Sequence, residues 1–242
     1  MFSKIRSVFA GVLVLSSSYS YCQVTKADTS FLVHAKNKSI ALYTSTIQHQ
    51  SRLYNGSDYI IYFPKDEEHP YYHMDDWGTG SVVYWDELYE NIPLLFDLTV
   101  DQVITEHDWG SPIKLIPEKV RRFVIWNHTF VRLYPDNKNK ISEGFYDQLY
   151  DGKSKVYARY TKAYREEFEN TRIIPQFDES TRYYLVKNGV FNIVKSKASV
   201  LQVLSDHKPE IKDFLRKNRI WYKDNRATSI VRIAEFYDTL ID

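Results

Sequence analysis

The chain has 242 residues, a mass of 28.7 kDa and 32 basic against 31 acidic side chains, a formal charge of +1. With 43% hydrophobic and 16% aromatic residues, the composition is that of a globular protein and excludes a disordered or collagen-like chain. One Cys excludes an internal disulfide framework, and near-neutral charge removes the electrostatic argument for nucleic acid as a partner.

Residues 1–22 read as a secretory signal. Lys4 and Arg6 form a basic start with no acid before Asp28, and Val8 to Leu15 is an apolar stretch too short to cross a bilayer. Ser20-Tyr21-Cys22 fits a small-x-small cleavage site and leaves Gln23 as the new N-terminus; Ser18-Tyr19-Ser20 is the alternative. Lipidation at Cys22 is not expected, because Tyr21 and Tyr19 stand where that signal wants a small residue and a Leu. No later stretch is long and apolar enough to span a membrane, so export to the periplasm or the cell exterior is the expected destination.

Residues 23–242 are expected to form a single α+β unit, β-rich over 53–195 and helical over 196–242. Ile40, Tyr43 and Ile47 share a face and predict a first helix over 36–50. Short strands are predicted at Tyr59 to Phe63, Ser81 to Trp85, Ile92 to Asp97 and Gln102 to Thr105, and Ser111-Pro112-Ile113-Lys114 reads as the start of another. Arg121 to Trp126 and Thr129 to Tyr134 flank Asn127-His128 as a hairpin. Asp151-Gly152 and Asn188-Gly189 each sit between strand-like runs, and both dipeptides tolerate the positive φ of a two-residue turn. The pattern is an antiparallel β-meander, as a curved sheet or partly closed barrel.

The C-terminal part predicts a group of short helices. Ser196 caps the first, Pro209 opens the second over Ile211, Phe214 and Leu215, and Asp224 or Asn225 caps the third. Ile230, Ile233, Ala234 and Tyr237 keep the spacing of one buried face.

Several of these segments also carry a resemblance. Leu53-Tyr54-Asn55-Gly56, Gly80-Ser81-Val82, Pro93-Leu94-Leu95-Phe96-Asp97, Gly144-Phe145-Tyr146-Asp147 and Leu149-Tyr150-Asp151-Gly152-Lys153 resemble a family of exported proteins common in Bacteroidota. Arg182-Tyr183-Tyr184, Lys187-Asn188-Gly189 and Val194-Lys195-Ser196-Lys197 match as well, so the resemblance runs from about Leu53 to Leu240. It implies export and a single folded unit. No activity is assigned to that family, so no site residue carries over from it.

Candidate chemistry is sparse. His69, His73, Asp75 and Asp76 combine two imidazoles with two carboxylates, the donor types of a zinc site, although their spacing is not that of a closed set. Glu106-His107-Asp108, following Asp97 and Asp101, offers a second His beside carboxylates. Two S-x-x-K matches, at Ser111 and Ser205, lack the companion motifs of a penicillin-recognising site. Nucleotide-binding, metalloprotease, hydrolase-elbow and C-x-x-C motifs are missing from the sequence, and no cofactor is expected.

The compositional excess is aromatic. Tyr71, Tyr72, Trp77 and Trp85 are the expected binding patch, because Tyr and Trp bring contact area with few rotors and a polar tip. The leading expectation is a non-enzymatic envelope protein that binds another protein or a surface component. The alternatives are a small-ligand or glycan module with its pocket inside the curved sheet, and a hydrolase with a scattered His/Asp site.

Overall fold

The structure is a computed structural model that describes residues 32–40, 42, 52–60, 68–107, 109–135, 141–169 and 172–241. The expected signal at residues 1–22, with Cys22, lies outside them, as do Tyr43, Ile47 and the 61–63 part of the Tyr59 run. The chain divides into two units, Met1–Gln48 and His49–Asp242. In the first, residues 32–40 and 42 are helical (α1), and Leu32, Val33, Ile40 and Leu42 are exposed.

The second unit is built on one antiparallel sheet of 11 strands with the order β1-β5-β4-β3-β2-β6-β7-β8-β9-β10-β11. The strands are β1 Ser57–Asp58, β2 Gly78–Tyr84, β3 Glu87–Asp97, β4 Gln102–Glu106, β5 Pro112–Lys114 and β6 Val120–Ile125. They continue with β7 His128–Leu133, β8 Gly144–Asp151, β9 Lys155–Glu169, β10 Arg172–Lys187 and β11 Val190–Val194. The order is linear with two ends, so the meander is an open sheet rather than a closed barrel.

That sheet is curled. β3 and β9 stand five places apart, which in a flat sheet would separate them by roughly 24 Å. Instead the turn after β3 meets β8 and β9: the Lys162 amide donates to the Leu98 carbonyl at 3.2 Å, and the Phe145 amide donates to the Asp101 carboxylate at 3.2 Å. Arg159 adds an ion pair to Asp101 at 3.3 Å. Inside the curl, Phe96, Phe123, Phe130 and Phe145 pack ring on ring with centroids 4.8–5.8 Å apart, joined by Val82, Tyr84, Leu94 and Ile125. Gly80 permits the tight passage of β2 past β6, because a Cβ there would stand 2.1 Å from the Val124 carbonyl oxygen.

Helices α2 Lys197–Val203, α3 Lys208–Lys217 and α4 Arg226–Leu240 cover the other half of the sheet. Ile211, Leu215, Ile230, Ile233, Ala234 and Tyr237 close a second core on Val156, Leu185 and Val194. The caps fall where the sequence places them: Ser196 and Ser199 form a capping box, and the Asn225 side chain accepts from the Thr228 amide at 2.9 Å. Pro209 stands in the first turn of α3. Two small cores line the reverse face, one around Tyr146, Tyr157 and Tyr184 and one around Tyr71, Leu95 and Ile104.

The turns hold the main departures from expectation. Asn188-Gly189 is a two-residue turn with φ of 51° and 75° between the paired Lys187 and Val190. The Asp151-Gly152 hairpin instead has a three-residue loop, since Asp151 pairs with Lys155 and the Gly152 amide donates to the Ser154 carbonyl. The β6–β7 turn is Trp126-Asn127 rather than Asn127-His128, and Trp85 is not a strand residue but the first residue of the Trp85-Asp86 turn. Both Trp residues hold φ of 51°, a region that bulky side chains rarely adopt. Tyr59 and Ile60 follow β1 without being part of a strand.

Candidate functional site

Seven of the eight expected site residues, all but Trp85, lie between His69 and Trp77, in a segment that runs along the end of β3 at Pro70 to Tyr72. The Tyr72 amide donates to the Phe96 carbonyl at 2.8 Å, the Leu98 amide donates to the Pro70 carbonyl at 2.9 Å, and Tyr71 bridges Asp97. Extended backbone sends successive side chains to opposite faces. Tyr71 therefore enters the small reverse-face core and is 1% exposed, while Tyr72 packs on Phe130 inside the curl with centroids 5.0 Å apart. The two Tyr residues thus form no common exposed patch, because strand alternation separates them. Trp77 is half-buried beside Tyr71, and Trp85 is 41% exposed on its own turn.

The imidazoles and carboxylates of this segment also part company. His69 stacks against Tyr71 with Nδ1 buried, and its carbonyl accepts from Lys162 Nζ at 2.8 Å. His73 holds φ of 67° and faces Trp126, and Asp76 accepts from the Trp77 amide. Among the described residues no three His, Cys, Asp or Glu side chains are grouped to hold a metal ion, so His69, His73, Asp75 and Asp76 do not form the cation site that their clustering in sequence suggests.

At the second sequence candidate, Asp108 lies outside the described residues. His107 is sandwiched between Tyr54 and Trp109, with centroids at 4.5 and 4.2 Å. Asp97 accepts from Tyr59, Thr99 Oγ1 and the Thr99 amide, and Asp101 pairs with Arg159. Asp101 thus holds the sheet's curl together, and Asp97 ties the Tyr59 hydroxyl to the turn after β3.

The most organised polar cluster is one that sequence reading missed. His128 lies two residues before Phe130 on β7, and Asp147 stands directly opposite Phe130 on β8. Ala158 opposes Asp147, which places Tyr160 two residues further along the same face. The Asp147 side chain is 1% exposed, and a carboxylate so buried needs hydrogen bonds to offset its lost hydration. His128 Nδ1 supplies one at 2.6 Å and the Tyr160 hydroxyl another at 3.2 Å. The hydrogen bond to Asp147 raises the pKa of His128 against the opposing effect of burial. Burial, reinforced by the Asp147 charge, raises those of Tyr72 and Tyr160. A His held by a buried Asp is the base-and-orienter half of a nucleophilic triad. Among the described residues, however, no Ser, Thr or Cys side chain is hydrogen-bonded to His128. The available signal was a polar residue at an apolar place in the alternation, His128 before Phe130 and Asp147 after Phe145.

Two clefts add concave space. A cleft of about 800 Å³ opens between α2 and the β10–β11 hairpin over Tyr184 and Phe191. A second, of about 400 Å³, lies where the Trp85 turn meets β6 and β7.

The remaining feature is a ribbon. β8 pairs with β9 only as far as Ala158, and β11 pairs with β10 only from Tyr183. Among the described strands, residues 159–169 and 172–182 pair with each other alone, over roughly 35 Å, while the Lys162 amide donates to the Leu98 carbonyl and the Phe177 amide to the Glu68 carboxylate at 2.7 Å. Tyr164 and Phe177 face one another with centroids 5.7 Å apart, and Phe168, on the same face, is 75% exposed. Arg165 and Asp178 pair at 3.2 Å on the ribbon's other face.

No protein-family model, curated protein or solved structure matches the chain.

Proposed function

We propose that the protein is an exported, non-enzymatic component of the cell envelope that binds another protein or a surface component. The compartment rests on the character of residues 1–22 and on the resemblance to exported proteins of Bacteroidota. The observation that carries the binding role is the β9–β10 ribbon, whose aromatic face extends past the sheet with Phe168 75% exposed. An exposed aromatic face on paired strands is a surface that a second chain can cover with apolar side chains of its own. The aromatic excess thus serves binding at Tyr164 and Phe168 rather than at Tyr71 and Tyr72. A ligand pocket inside the curved sheet has less support, since phenylalanine rings occupy that interior.

The test is crosslinking of the C-terminally tagged full chain in the producing cell, followed by mass spectrometry. A single specific partner is expected, with crosslinks on residues 159–182. Phe168→Asp should abolish its capture while leaving the thermal midpoint within a few degrees of the parent, as for a surface change. Capture that survives both Phe168→Asp and Tyr164→Ala would remove the ribbon from the role.

A further inference from the structure

The smaller cleft has the composition of a ligand site. Its rim is the Trp85-Asp86 turn, and it is lined further by Lys119, Arg121, Arg132 and Tyr134. Its volume of about 400 Å³ is within the range of small-molecule sites, about 300–1,000 Å³. Trp85 and Tyr134 are 41% and 53% exposed, and Arg52 lies 6.0 Å from the centre of the Trp85 ring.

Arg132 is the unusual member. Its side chain is 8% exposed, and its Nε is buried without a hydrogen-bond partner among the described residues. Nη2 donates to Glu143 at 2.6 Å, and the guanidinium lies over Phe145 at 5.1 Å and near Tyr134 at 5.6 Å. The group is therefore held in one orientation with a donor unused, although a buried charged donor normally finds an acceptor. Lys119 Nζ lies 4.1 Å from the centre of the Trp85 ring, and Arg121 pairs with Asp86 at the rim.

The balance of charge narrows the ligand. Three cations, Lys119, Arg121 and Arg132, and two carboxylates, Asp86 and Glu118, line the cleft, and with Arg121 paired to Asp86 and Arg132 to Glu143, Lys119 is the one of the three without an ion pair among the described residues. One cation without a carboxylate partner suits a monoanion better than a phosphate dianion or a polyphosphate. The planar guanidinium fork matches a carboxylate, the aromatic rings match the apolar face of a sugar ring, and the two carboxylates can accept from hydroxyls. We propose that this cleft binds a carboxylate-bearing sugar, of the uronic acid class, with Arg132 and Lys119 on the carboxylate and Trp85 and Tyr134 against the ring. This site is independent of the ribbon and of any partner that the ribbon binds.

The test is isothermal titration and ligand-observed NMR on the full chain with galacturonate, galactose, inorganic phosphate and an oligogalacturonate. Galacturonate is expected to bind, galactose and phosphate at least about tenfold more weakly, the discrimination of one charge-assisted contact. Lys119→Ala, at an exposed position, should weaken galacturonate severalfold with an unchanged thermal midpoint. Arg132→Lys should weaken it further, and Trp85→Ala should lower affinity for sugar acid and oligomer alike. Equal affinity for monomer and oligomer would identify a free sugar acid as the ligand. Oligomer binding more than tenfold tighter would identify an acidic surface polysaccharide. The proposal is overturned if galactose or phosphate binds as tightly as galacturonate, if galacturonate does not bind, or if Lys119→Ala leaves its affinity unchanged.

Discussion

Asp147 and His128 show how one buried carboxylate organises its surroundings. His128 has a pKa raised by its hydrogen bond to Asp147, so the folded state binds its proton more tightly than the unfolded chain does. The stability this contributes is fully present below the unfolded value of about 6.5 and is lost as pH rises through the higher folded value. Thermal midpoints of the parent and of His128→Gln should therefore differ most near pH 5.5 and converge toward pH 8.5. A difference that stays constant over that range would show that the ring acts by packing alone. The pair was not legible in the sequence because its members are 19 residues apart and meet only through the β7–β8 register. The same limit governs Arg132, whose unused Nε donor becomes visible only once Phe145 and Tyr134 are seen around it.

At the scale of elements, the helices were the most legible part, since caps and spacing are local. Ser196 accepts from the Ser199 amide at 3.3 Å, and Ser199 Oγ accepts from the Ser196 amide at 3.0 Å. Ser196→Ala should lower the unfolding free energy by about 1 kcal/mol, measured by urea denaturation. Hairpins were legible where the turn announces itself, as at Asn188-Gly189, and hidden where Trp85 and Trp126 take left-handed φ values that favour small residues. The distal ribbon was the least legible strand pair. Its residues 163–169 include three Glu and one Arg, which have no strand preference, and Pro175 is the fourth residue of β10. Cross-strand partners such as Tyr164 and Phe177 hold it together, and such pairs cannot be read from either strand alone.

In the His49–Asp242 unit, two large cores rest on one sheet: the phenylalanine cluster within the curl and the helix-covered cluster over β8–β11. β8 serves both, with Phe145 in the first and Leu149 and Tyr150 packed against the second. This sharing predicts one cooperative transition rather than two. Phe130→Ala in the first core should cost about 3–5 kcal/mol and Ile230→Ala in the second about 2–5 kcal/mol. Each should shift far-UV and near-UV circular dichroism curves together in denaturant. Separate midpoints for the two signals would mean that the cores unfold independently.

The strand order has a kinetic consequence. From β2 to β5 and from β6 to β11, every strand pairs with its neighbour in sequence, so most of the sheet can zip up through hairpins of short loop length. β2 with β6 and β1 with β5 are the joins between strands distant along the chain. Loop closure there comes before the contacts that reward it. The slow step in reaching the native state should thus be the meeting of Val82 with Phe123, where two preassembled meanders become one sheet. Changes at that seam would slow refolding, whereas equal losses of stability in the C-terminal helices would mainly hasten unfolding.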